Sequence, residues 1–90
     1  MEKKPPTREE ANAALSRLEE LSIRAEDDPT GYGRKHRQQI INTATEFVNG
    51  DYDFPPDSND RDVVEAHLAD LRDIKLRAKD IRARALSLPL

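Results

Sequence analysis

The sequence predicts a small all-α domain, a bundle of three helices whose C-terminal helix outruns the other two. Three observations predict it. Residues 58–88 hold neither glycine nor proline, and within them Val64, Leu71, Ala78 and Ala85 recur every seven residues, as do His67, Ile74, Ile81 and Leu88. A two-position seam kept over four repeats belongs to one long helix with a stripe facing a partner. Upstream, Ala11, Ala14, Leu15, Leu18, Leu21, Ser22 and Ala25 fall on one helical face. Between these segments glycine and proline cluster at 29–33 and 50–56, which punctuates the chain into three.

Composition bounds how well such a bundle can be stabilised. Leu, Ile, Val and Phe number 19 of 90 residues, near the limit below which highly charged chains stay disordered. The net charge is only −3, so self-repulsion is weak and the helical periodicity decides for a folded chain. The core must be thin, and a second copy or a partner is expected to add stability. Residues 7–90 are expected to make one domain behind a flexible tail, 1–6. The chain has no cysteine, which excludes a disulfide framework, a thiolate metal site and a cysteine nucleophile. Met1-Glu2-Lys3-Lys4-Pro5-Pro6 lacks the apolar run of a signal peptide, and no stretch has membrane-spanning length, so a cytoplasmic chain without a membrane partner is expected.

The first helix is expected from about Arg8 to Glu26. Thr7-Arg8-Glu9-Glu10 fits a capping box, in which the Thr7 hydroxyl accepts from the Glu10 amide and the Glu10 carboxylate reaches back. Ile23 lies well off the apolar stripe. Asp27-Asp28-Pro29-Thr30-Gly31-Tyr32-Gly33 is expected to break the helix, with Pro29 pushing Asp28 towards extended geometry and the glycines freeing the backbone around Tyr32. A second helix follows over 34–49, with Ile40, Ile41, Ala44, Phe47 and Val48 on its apolar face and Gly50 as the stop. Its first turn, Arg34-Lys35-His36-Arg37, sets cations where the helix dipole disfavours them. Asp51-Tyr52-Asp53-Phe54-Pro55-Pro56-Asp57 is a rigid connector whose two aromatics can pin it to the bundle. Ser58 or Asp60 then caps a third helix of about 60–88. Short connectors favour an up-down-up arrangement.

The third helix needs something to cover its extra length: a kink, a partner or a second copy. On its back Ala69, Leu76 and Ala83 recur every seven residues. With Ile23 these form the expected interaction surface, suited to a homodimer or higher oligomer or to another protein. Charge is segregated along the chain. Residues 46–70 carry eight acids and one base, and residues 71–84 carry six bases and two acids. That makes a dipolar molecule one reading and a merely solvated helical surface the other.

Other constellations are weaker. Gly31 to Arg37 combines glycines, an aromatic face and three cations, so Tyr32, Arg34, Lys35 and Arg37 form an expected site for an anionic small ligand such as a nucleotide. It is neither a Walker A loop nor a dinucleotide fingerprint. His67 with Asp70 supplies too few ligands for a metal and reads as a core-edge histidine. Asp51 to Asp62 fails as a calcium loop because Pro55, Pro56 and Asp62 stand where an oxygen ligand, glycine and glutamate are required. Lys75, Arg77, Lys79, Arg82 and Arg84 spread round their helix and the pI is near 5.3, both of which argue against nucleic acid as a partner. Its contact by the basic C-terminal half of the third helix stands only as the last alternative reading. No nucleophile–base pair stands out, so neither enzyme activity nor a cofactor is expected.

The run Ile40-x-x-Thr43-Ala44-x-x-Phe47, with Phe54-Pro55-Pro56-Asp57-Ser58 leading into a long helix, resembles in part the helical hairpin of phage proteins that sequester cyclic-nucleotide immune signals. That family's Trp-Ala-Asn run has no counterpart after Leu71, and the chain is not assigned to it. The expectation is a non-catalytic regulator, inhibitor or adaptor, of the small, charge-rich kind common among phage and mobile-element accessory proteins.

Overall fold

Glu10 donates its backbone N–H to the Thr7 hydroxyl at 3.2 Å, and this cap starts the first helix, α1, Arg8–Asp27. The computed structural model of the chain describes residues 5–89. Most of the expected tail, 1–4 of 1–6, lies outside the described residues. The capping box is half made, since no return bond from the Glu10 carboxylate is present among the described residues. Ala11, Leu15, Leu18, Ser22 and Ala25 are buried and Ala14 and Leu21 half-buried, so the whole expected stripe faces inward.

The break after α1 differs from the seven-residue loop the sequence suggests. Only Asp28 leaves helical geometry, at φ −137° and ψ 70°, as the following proline requires. Pro29–Gly33 forms one turn of π-helix, closed by the Gly33 amide donating to the Asp28 carbonyl at 2.8 Å. The turn runs straight into α2, Arg34–Asn49. Gly33 has ordinary helical dihedrals, φ −61° and ψ −45°. It is glycine because a Cβ there would lie 2.8 Å from the Ala25 carbonyl oxygen, so the residue serves close approach of two helix ends and not flexibility.

Gly50 ends α2 in the left-handed conformation, φ 93°, and the Asp51 amide closes the motif on the Glu46 carbonyl at 3.0 Å. Both connector aromatics pin the chain as expected. Tyr52 stacks on the buried Phe47 with ring centroids 4.0 Å apart, and buried Phe54 meets the half-buried His67 edge-on at 5.1 Å. Of the two expected caps Asp60 is the one used, its carboxylate accepting from the Asp62 amide, while the Ser58 hydroxyl accepts from the Asp60 amide just ahead of the helix.

The third helix, α3, runs Arg61–Leu86 and has 26 residues, shorter than the expected 60–88. At 1.5 Å per residue it is still about 39 Å long. Ile74, Ala78, Ile81 and Ala85 are buried and Val64, His67, Leu71 and Leu88 half-buried, which is the seam read from the heptads. Leu88 reaches the core from beyond the helix, with its Cδ1 beside Gly33.

Ion pairs give the directions. Arg8–Asp70, Glu19–Arg77 and Glu26–Arg84 advance together, so α1 and α3 are parallel. Arg37 donates to the Ala85 carbonyl at 3.1 Å while Phe54, beyond the other end of α2, meets His67, so α2 runs antiparallel to α3. The result is an up-down-up bundle around Phe47, Leu15, Leu18 and Ile40. Its extents are 48 × 31 × 18 Å, and its 14.7 Å radius of gyration exceeds the roughly 12 Å of a compact chain this long. No helix among the described residues is long and apolar enough to cross a membrane.

Candidate interaction surface

A thin core leaves apolar side chains outside it. Ile23 and Leu76 are 57 % and 58 % exposed, and Leu68 and Leu86 are similarly open. Leu68, Leu76 and Leu86 fall within one side of α3, Leu76 opposite the buried seam and the other two a quarter-turn from it. Of the expected surface, Ile23 and Leu76 are brought together: they line one groove of about 400 Å³ between α1 and α3. Ala69 and Ala83 are exposed one heptad before and after Leu76, along the same side of α3.

Leu76 also lines a second groove, of about 490 Å³, with Leu68, Leu71, Arg72, Lys75 and Lys79. It therefore stands as a ridge between two open grooves. The second groove, and with it Leu68, was missed in the sequence. Leu68 lies one turn before Arg72 and two before Leu76, and its exposure could have been read from the same wheel that marked Leu76.

The cations of α3 sort onto two flanks. Arg77 and Arg84 turn to α1 and pair with Glu19 and Glu26, residues likewise seven apart. Arg72, Lys75, Lys79 and Arg82, at spacings of three, four and three, make the other stripe, where the sequence reading saw only spread. Lys75 is held by Asp53 at 3.2 Å, while Arg72 and Lys79 have no ion-pair partner among the described residues.

The Gly31–Arg37 residues are used differently from the expected anion cradle. The Asp28 carboxylate accepts from the Gly31 and Tyr32 amides at 3.2 and 3.1 Å, so two donors a phosphate would use already hold an anion. Tyr32 is half-buried with its ring 4.2 Å from that of His36. Arg37 binds the last turn of α3, where a cation suits the negative end of the dipole. Arg34 and Lys35 point to solvent. This also explains the cations at the start of α2: the helical path begins one turn earlier, and its N-terminal carboxylate is Asp28.

No family model, curated protein or solved structure matches the chain.

Proposed function

We propose that the chain is a non-catalytic interaction module that occupies another protein surface with the outer side of α3, Leu76 at its centre and Ile23 beside it. The observation that carries this reading is a matter of supply. With 19 large apolar residues in all, the chain leaves Ile23, Leu68, Leu76 and Leu86 more than half exposed, three of them on one side of one helix. Scattered single apolar residues on a surface need no explanation, but Ile23, Leu68 and Leu76 line two adjoining grooves, and that is the mark of a contact face. The fit of Ile23 and Leu76 to one groove supports placing both in that face.

The test is a native mass spectrum of the chain, purified gently at low salt, beside its Leu76→Glu variant. Leu76 is open to solvent, so the variant keeps its helix content by circular dichroism. The expected result is an assembly, of copies or with another protein, that the variant loses. An assembly untouched by the substitution overturns the reading. So does a monomer carrying a few hundred daltons of extra mass and absorbance at 260 nm, which would instead favour an anionic ligand.

A further inference from the structure

The first half of α3 is poorly covered. No residue from Arg61 to Asp73 is fully buried, whereas the second half buries Ile74, Ala78, Ile81 and Ala85. Helices of globular chains draw most of their stability from packing an apolar face, and this half has only Val64, His67 and Leu71 half-covered on the seam. On its outer side it offers Glu65, Leu68 and Arg72, continued by Leu76 and Lys79. These five follow at spacings of three, four, four and three, which keeps them on one helical stripe.

We infer that a second copy of this chain covers that stripe, with the two α3 helices antiparallel about a two-fold axis at Arg72. This rests on the interaction reading above and names the partner. Charge decides the arrangement. Residues equally far from Arg72 on either side face each other across such an axis, so Leu68 of one copy meets Leu76 of the other, and Glu65 meets Lys79. Both pairs occur twice. Each Leu76 ridge then meets Leu68 at the edge of a groove that Arg72, Lys75 and Lys79 also line on the other copy. At larger scale the acids Asp57, Asp60, Asp62 and Glu65 of one copy lie near the end of the other copy's α3 that carries Lys79 and Arg82.

The competing arrangements set like against like. A parallel, in-register pair stacks Glu65 on Glu65, Arg72 on Arg72 and Lys79 on Lys79. An antiparallel pair centred on Leu76 puts Arg72 beside Lys79 on one flank and Asp73 beside Asp80 on the other. The chosen register has conflicts of its own, Arg72 with itself on the axis and Glu65 beside Asp80 of the other copy, and their long stems can turn the charges outward to solvent. Glu65 is held only by an exposed bond to Arg61, and Lys79 has no ion-pair partner among the described residues, so both are free to pair across the interface.

Charge exchange tests the register. The dissociation constant of the dimer is measured by sedimentation for Glu65→Lys, Lys79→Glu and the two combined. Each single variant turns two Glu–Lys contacts repulsive and should weaken the dimer about tenfold. The combined variant should return to within about threefold of the parent. The absence of native cysteine allows a second readout. Under mild oxidation Leu68→Cys mixed with Leu76→Cys should form a covalent heterodimer faster than either variant couples to itself. Self-coupling of Leu76→Cys that outpaces the mixture overturns the arrangement, as does a combined charge variant no tighter than the singles. A chain that stays monomeric yet binds a different protein through Leu76 overturns this inference alone. Associations that all survive Leu76→Glu overturn the reading beneath it.

Discussion

Phe47 shows how much of this fold rests on single side chains. It is among the largest fully buried residues and carries Tyr52 stacked on its face. Phe47→Ala should cost about 3–5 kcal/mol, read by urea unfolding. Against the roughly 5–13 kcal/mol expected for a 90-residue chain, that is a large share. Tyr52 adds a pH dependence. Burial, then the carboxylates of Glu46 and Asp51, raise its phenol above the ordinary 10.0. The fold therefore favours the protonated phenol, and the resulting stability is present below pH 10 and lost as pH rises through the raised value. Between pH 8 and 11 the parent should lose more stability than Tyr52→Phe, as thermal melts would show. Equal losses would remove the effect. At this scale the seam of α3 and the exposure of Ile23 and Leu76 were legible because each follows from helical phase alone. The roles of Gly33 and Arg37 were not, because each is set by a carbonyl on a different helix, Ala25 for one and Ala85 for the other.

The α1–α2 junction is the element that sequence reasoning misjudged most. Proline, two glycines and two aspartates in seven residues spell a loop, yet all but Asp28 are helical. A helix can resume directly after a one-residue break when the break residue caps the new turn, and the Asp28 carboxylate does so. Whether such a turn forms depends on α1 and α2 meeting closely enough to exclude a Cβ at Gly33, which no local propensity reports. Asp28→Ala should cost about 0.5–2 kcal/mol by denaturant unfolding while leaving the dimer constant unchanged. For α3, the contrast between its halves predicts a gradient. In Leu76→Glu, backbone amides of residues 64–72 should exchange with deuterium well before those of 77–85, and in the associated parent the gap should narrow. An unchanged gap on association would place the contact elsewhere.

For the whole molecule, sparse apolar content produces a flattened bundle 18 Å thick, and the same scarcity makes each exposed leucine informative. Class, helix order and bundle topology were legible from periodicity and punctuation. The pairing of Glu19 and Glu26 with Arg77 and Arg84 was not, although the shared seven-residue spacing carries the hint, because parallel packing of α1 on α3 had to be known first. On the proposal made above, the outer side of α3 is a contact face through which two copies associate. Sedimentation equilibrium over a wide concentration range tests it most directly. It predicts a parent mass that rises from 10.2 kDa towards twice that value, and a Leu76→Glu variant that stays at 10.2 kDa throughout. A parent fixed at 10.2 kDa at every concentration, or a variant that dimerises as the parent does, would contradict it.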